Sequence, residues 1–227
     1  MVKEAKLAIV YTGMPLHLVE AIEREVRSAL PGVNLTILTF SNPAIINDAI
    51  ANGSPSQWAR RSLVSLFMQA MDSGADVILN ACSSVGDVAE AAKPLLASLG
   101  VRLVRIDEEM ARTAVMDFQH VGVLATLTST MEPTKRLLSQ KAAAAGRRTD
   151  IVGRIAEGTF GRPAEQVVDI LIQAACAIRD KVDCIVLAQG SMVSFEQAIA
   201  AATGLPVFSS PRFGALAVQR ALELCNN

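Results

Sequence analysis

Aromatic residues are scarce in this chain, at 4% with one tryptophan and one tyrosine, which removes the stacking platforms on which single-stranded nucleic acids bind. An excess of one charge is missing too. Lysine and arginine number 21 against 22 acids, so no net field draws in nucleic acid or an anionic membrane. The four cysteines, Cys82, Cys176, Cys184 and Cys225, form no CxxC pair, and His17 and His120 lie far apart. That argues against a zinc site or a disulfide framework, and for reduced thiols in a cytoplasmic protein. No stretch approaches the roughly 18 uninterrupted apolar residues of a spanning helix. Residues 1–20 also lack a signal-peptide core, with Lys3, Glu4 and Lys6 ahead of a short apolar run. Neither GxGxxG nor a P-loop pattern follows any apolar run, and YTGMPLH lacks the glycines that a pyrophosphate needs.

What is present is apolar and regular. Of 227 residues, 51% are hydrophobic and 19% charged, which suits one large domain or two small lobes with their own cores, and a dimer or larger assembly. Eight short runs read as strands: LAIVYT (7–12), LTILTF (35–40), DVILNA (76–81), VRLVRI (101–106), VGVLAT (121–126), DIVGRI (150–155), DCIVLA (183–188) and LPVFSS (205–210). Amphipathic segments such as HLVEAIEREVRSAL lie between them, with apolar residues three and four apart. Such alternation implies right-handed crossovers and parallel sheets flanked by helices. The pattern is also written twice. SGADVILNACSS matches DKVDCIVLAQGS at an offset of 107, aligning Asp76 with Asp183 and Ser84 with Ser191. The expected architecture is α/β: two pseudo-symmetric lobes, 1–98 plus 205–227 and 99–204, with a ligand cleft between them.

Ligands of parallel sheets bind beyond the carboxyl ends of the strands, so Thr12, Cys82, Thr126 and Gln189 are expected in one cleft. Ser84-x-x-Asp87, Ser129-x-x-Glu132 and Ser194-x-x-Gln197 fit capping boxes, the second with Pro133 just inside. Helix N-termini at these strand ends favour a carboxylate. No Arg or Lys accompanies them, which leaves anion recognition to backbone and hydroxyl groups. A thiol just ahead of a helix N-terminus, as Cys82 is in NACSSVGD, is expected to have a lowered pKa. Cys184 begins its strand, about 16 Å of extended chain from Gln189. Cys176 lies in an apolar helical run and Cys225 at the C-terminus, and all three read as small hydrophobes or surface residues. IDEEMAR (106–112) reads as a solvated helix start, and His17 as an exposed helical histidine near the cleft mouth.

Taken together, NACSSVGD after the third strand, VGVLATLTST opening the second lobe, VLAQGSM near the end and RIDEEMARTAV (105–115) resemble the aspartate/glutamate/hydantoin racemase superfamily over essentially the whole chain. The resemblance implies a cofactor-independent enzyme of two pseudo-symmetric α/β lobes, needing no metal, flavin or pyridoxal phosphate. Two-cysteine members carry a thiol after the third strand of each lobe, one taking a Cα proton while the other delivers one to the opposite face. Cys82 matches the first thiol, but the second position holds Gln189, whose amide cannot exchange the proton at a useful pKa. Water, Thr126 or a substrate group is then the candidate to complete the exchange. Thr12, Gly13, Asn80, Ser83, Ser84, Gly190 and Ser191 are candidate substrate contacts, with Met192 as an apolar wall.

The expected function is that of a racemase or isomerase acting at the carbon alpha to a carboxylate or amide, with Cys82 as thiolate base or as nucleophile towards an activated double bond. The expected partner is a small carboxylate or cyclic amide. A single-cysteine decarboxylase of the same superfamily and a non-catalytic small-acid binding protein are the alternatives.

Overall fold

The computed structural model describes residues 3–159 and 162–224, so Cys225 lies outside the described residues. All eight expected strands form, in two four-stranded parallel sheets of the same order, β2-β1-β3-β4 and β6-β5-β7-β8. The first half runs β1 (Lys3–Tyr11), α1 (Leu16–Ala29), β2 (Val33–Ser41), α2 (Pro43–Asn52), α3 (Gln57–Asp72), β3 (Val77–Asn80), α4 (Gly86–Ser98) and β4 (Arg102–Arg105). Helix α5 (Glu108–Asp117) leads to β5 (His120–Ala125), α6 (Thr128–Ala144), β6 (Asp150–Ile155), α7 (Ala164–Cys176), β7 (Cys184–Leu187), α8 (Glu196–Thr203), β8 (Val207–Phe208) and α9 (Ser210–Leu224). Short 3-10 turns follow β3 at Ser83–Val85 and β7 at Gly190–Phe195. β4 thus completes the first sheet and β8 the second, whereas the boundaries expected from sequence put β4 in the second lobe and β8 in the first.

The repeat seen in sequence is also a repeat of hydrogen bonds. The carboxylate of Asp76 accepts from Lys6 N–H at 2.7 Å, and that of Asp183 from His120 N–H at 2.8 Å. At the other end, Ala81 N–H donates to Val10 C=O at 3.0 Å and Ala188 N–H to Leu124 C=O at 2.9 Å. Each inner strand pair is therefore pinned at both ends by equivalent residues, which fixes where Cys82 and Gln189 emerge. Side chains alternate across each sheet because successive strand residues point to opposite faces. Ala8 and Val10 enter one core and Leu7, Ile9 and Tyr11 the other. In the second sheet Cys184 and Val186 separate from Ile185 and Leu187 in the same way. Cys184 is therefore core, as expected. Turns PGVN and AAGR are matched too, with Gly32 and Gly146 at φ of 78° and 65°, where a side chain would be strained.

The three expected capping boxes do not form. The chain leaves β3 and β7 through 3-10 turns that absorb Ser84 and Ser194, so α4 and α8 start from Val85 and Phe195 instead. Helix α6 begins at Thr128, which puts Ser129 and Pro133 inside it. Side-chain caps form at Asn42 and Ser56, ahead of α2 and α3.

The segment 106–109 is not a solvated helix start. Asp107 is 1% exposed and binds the fully buried Arg105 through two 3.0 Å contacts. Glu108 bridges the halves, accepting from Lys93 of α4 at 2.6 Å and Lys141 of α6 at 2.5 Å. Glu109 binds Arg112 and reaches Arg220 of α9. Asp87 meets Arg136 across the same seam at 2.6 Å. Helix α9 packs with α1 on the first sheet while its Phe213 joins a core of the second.

Burial alone would raise the Glu108 carboxyl, but the charges and hydrogen bonds of Lys93 and Lys141 outweigh it and hold the group below its ordinary 4.5. A depressed carboxyl contributes stability above its unfolded pKa and loses it as pH falls through the folded value. Glu108→Gln is expected to cost about 1–2 kcal/mol at pH 7. In urea melts, its difference from wild type should shrink as the pH drops below 4.5.

Candidate active site

Cys82 and Gln189 leave their strands in matching extended conformations, with φ, ψ of −138°, 117° and −114°, 133°. Each caps a 3-10 turn. The carboxyl ends of both sheets meet here, and a chamber of about 170 Å³ lies between them. The first half contributes Thr12, Gly13, Cys82 and Ser84, with Leu18 and Ile46 as apolar wall. The second half contributes Gln189, Gly190 and Ser191, with Leu127 and Thr130 behind. A larger chamber of about 580 Å³ adjoins it, sharing Leu127, Gln189 and Ser191. That one is lined by His17, Thr126, Arg162 and Met192, among others.

The sequence-predicted residues thus divide. Thr12, Gly13, Cys82, Ser84, Gln189, Gly190 and Ser191 surround one chamber, while Thr126 and Met192 line the other. Asn80 and Ser83 line neither. The Asn80 amide donates to the Cys82 carbonyl at 2.9 Å and so fixes the turn, whereas Ser83 is buried in it. His17 is exposed but not idle: its Nε2 lies 3.1 Å from the Ser191 carbonyl, tying α1 to the second half. Cys176 is half-buried, its sulfur 3.9 Å from the Ala202 carbonyl, and lines neither chamber. The apolar walls Leu18 and Ile46 carried no sequence signal beyond helical periodicity. Arg105 was legible only as the end of a strand, in VRLVRI, and it is a strand-end cation on β4.

Gln189 is tied to Thr126 by both ends of its amide. Its Nε2 donates to the Thr126 hydroxyl and its Oε1 accepts from Thr126 N–H at 3.0 Å. The amide therefore forms a wall between the two chambers.

The expectation of a lowered thiol pKa does not hold. Burial pushes the Cys82 thiol above its ordinary 9.0, against the opposing hydrogen bonds of the Thr12 hydroxyl and the N–H groups of Ser84 and Val85, and the Asp107 carboxylate adds to the rise. A helix start favours the thiolate only where water or a cation shares the work. Here the surroundings are mostly apolar. Cys184, deeper still, is pushed up to about 12. Among the described residues no group of three or more His, Cys, Asp or Glu side chains is placed to hold a metal ion. No helix among them is long and apolar enough to cross a membrane.

Two like halves, each a parallel four-stranded sheet flanked by helices, match the architecture of solved racemases. The chain belongs to the Asp/Glu/Hydantoin racemase family, whose model matches residues 16–218. An allantoin racemase from Klebsiella pneumoniae superposes with a TM-score of 0.70 at 16% identity, over 97% of this chain and 88% of that one. A glutamate racemase from Bacillus anthracis gives 0.76 at 15%, over 97% and 82%. A maleate isomerase from Pseudomonas putida S16, solved with maleate, gives 0.60 at 13%, over 97% and 93%. At these identities the likeness is one of fold. No curated protein matches the chain by sequence comparison.

Iodoacetamide is expected to label Cys82 at pH 7 more slowly than it labels the same cysteine in the denatured chain. The rate should still be climbing above pH 9, where labelling of the denatured chain levels off, because burial holds the thiol above its ordinary range. Peptide-resolved mass spectrometry measures this, and a plateau below pH 8 would contradict the assignment.

Proposed function

We propose that this protein is a cofactor-independent racemase or isomerase of small carboxylic acids or cyclic amides, with Cys82 as its reacting group. The observation that carries the reading is the chamber itself. One ionisable sulfur faces it, supported by the Thr12 hydroxyl and two turn N–H groups, with Gly190 and Ser191 of the other half opposite. Membership of the family supports the reaction class. The polar groups of the chamber are hydroxyls, an occupied amide and turn backbone, which suits a monoanionic or neutral substrate better than a dianion. When substrate displaces water, the thiolate takes the proton alpha to the carbonyl, or adds to an activated double bond. The turn N–H groups stabilise its negative charge.

A second reading is favoured by the raised thiol pKa. A sulfur that rests protonated is placed to deliver a proton, as a decarboxylase requires after carbon dioxide leaves. Thr126 sits on the far side of the Gln189 amide, so it completes a proton exchange only if that wall moves.

The test incubates the enzyme in deuterium oxide with aspartate, glutamate, allantoin, maleate and phenylmalonate, followed by proton NMR and chiral chromatography. Deuterium uptake at the alpha carbon, or interconversion of maleate, without carbon dioxide release is the expected result. Cys82→Ser should lower it by at least about a hundredfold. Carbon dioxide from phenylmalonate alone would move the assignment to the lyase reading. Full activity of Cys82→Ser would end both.

Gln189→Cys puts a second thiol at the position equivalent to Cys82. It is expected to raise the rate of enantiomer interconversion relative to wild type on whichever amino acid shows exchange, read by polarimetry. A loss of rate would mean that the Gln189–Thr126 wall contributes more than a second thiol does.

A further inference from the structure

We infer that Arg105 and Asp107 are positioning residues for Cys82, a buried charge pair lodged behind the thiol turn in which the guanidinium offsets the carboxylate's effect on the sulfur. The inference rests on the reading of Cys82 as the reacting group. β4 lies beside β3 with Arg105 in register with Asn80. Ile106 N–H donates to the Asn80 carbonyl at 3.0 Å, and the Asn80 amide donates to the Cys82 carbonyl at 2.9 Å. Ile106, which lies between the two charges in sequence, is thus two hydrogen bonds from the cysteine backbone. The guanidinium is fully buried and gives Nε and Nη2 to the two Asp107 oxygens, at 3.0 Å each.

Gly86 shows how tightly the guanidinium is seated. A Cβ there would lie 2.3 Å from Nη2 and 2.6 Å from Cζ. Gly86 opens α4 directly after Ser84 and Val85, whose N–H groups support the sulfur. The space left by its missing side chain is therefore where the guanidinium braces the turn. Asp87 and Glu90 of α4 also act on Arg105, and Asp87 is itself paired with Arg136 of α6. Asp107 is the charged group that acts on the thiol. A buried ion pair adds little stability over an apolar pair of the same volume. Bracing alone is within the reach of hydrocarbon. What hydrocarbon does not supply is a cation that offsets the field of Asp107 at a sulfur which must ionise.

The two charges make opposite predictions, which separates this role from bracing. The readout is the rate of iodoacetamide labelling of the Cys82 peptide against pH, in variants whose fold is checked by near-UV circular dichroism. Asp107→Asn leaves a buried cation and should lower the midpoint of the profile by about one unit, with labelling at pH 7 about tenfold faster. Arg105→Met should raise the midpoint and slow labelling by a similar factor. Arg105→Lys keeps the charge but loses the fork, and should stay within about threefold of wild type. Either of the first two variants decides alone if the other does not fold. A profile unchanged from wild type, or shifted in the reverse direction, overturns the inference, as does a shift of both variants in the same direction. The functional reading fails separately: if Cys82→Ser keeps its isotope exchange, that reading falls while the labelling contrast stands.

Discussion

Charge pairing along residues 105–109 holds the two sheets in the relation that makes a chamber. Each half has hydrophobic clusters on both faces of its own sheet, so burial within a half does not by itself set the angle between halves. Of three successive acids, Glu108 and Glu109 do that work, while Asp107 pairs within the first half. Asp107 turns back to Arg105, Glu108 joins α4 to α6, and Glu109 reaches α9. Ion pairs are suited to this because they are directional where hydrophobic contact is not. The chamber beside Cys82 takes its walls from both halves, so its dimensions depend on those contacts, and on α9 packing with the first sheet while touching the second core.

Much of this was legible in the chain, because periodicity records burial directly. Eight apolar runs became eight strands, and the offset of 107 placed Asp76 and Asp183 in twin roles at the starts of β3 and β7. Cys184 was readable as core from its place at a strand's beginning. The failures share one cause: each was a local motif whose meaning depended on distant partners. Ser84, Ser129 and Ser194 looked like caps, but the tight exits from the strands and the early start of α6 moved the helix ends away from them. IDEE looked solvated because three acids in sequence read as surface, and nothing local announces that Arg105, Lys93, Lys141 and Arg220 come to meet them. The thiol pKa failed for the same reason. A helix start was visible in sequence, but the desolvation that opposes it was not.

The repeat supplies the scaffold and the sequence difference supplies the chemistry. Val10 with Ala81 and Leu124 with Ala188 anchor the two strand exits identically, so Cys82 and Gln189 occupy equivalent positions in backbone terms. Their side chains do opposite things. The sulfur keeps an ionisable proton beside the chamber, while the amide spends both its polar ends on Thr126 and becomes a partition. A partition has its own use. It confines the small chamber on the side where a second donor would stand, and it separates it from the larger one holding His17 and Arg162.

This one-sidedness constrains which reactions the site can run well. On the reading of Cys82 as the reacting group, protons come and go from a single face of a bound carbon. Inverting a stereocentre needs a donor on each face, and the second half offers no thiol there. Addition to a double bond followed by rotation and elimination needs only one sulfur, and so does protonation after loss of carbon dioxide. A racemase built on this chamber must therefore recruit its second proton from outside the pair of equivalent positions. His17, an imidazole lining the adjoining chamber, is a side chain of the type that transfers protons in many enzymes. For it to serve, the Gln189–Thr126 partition would have to open during turnover. The resting geometry thus favours single-thiol chemistry, and two-sided proton exchange requires motion of that wall.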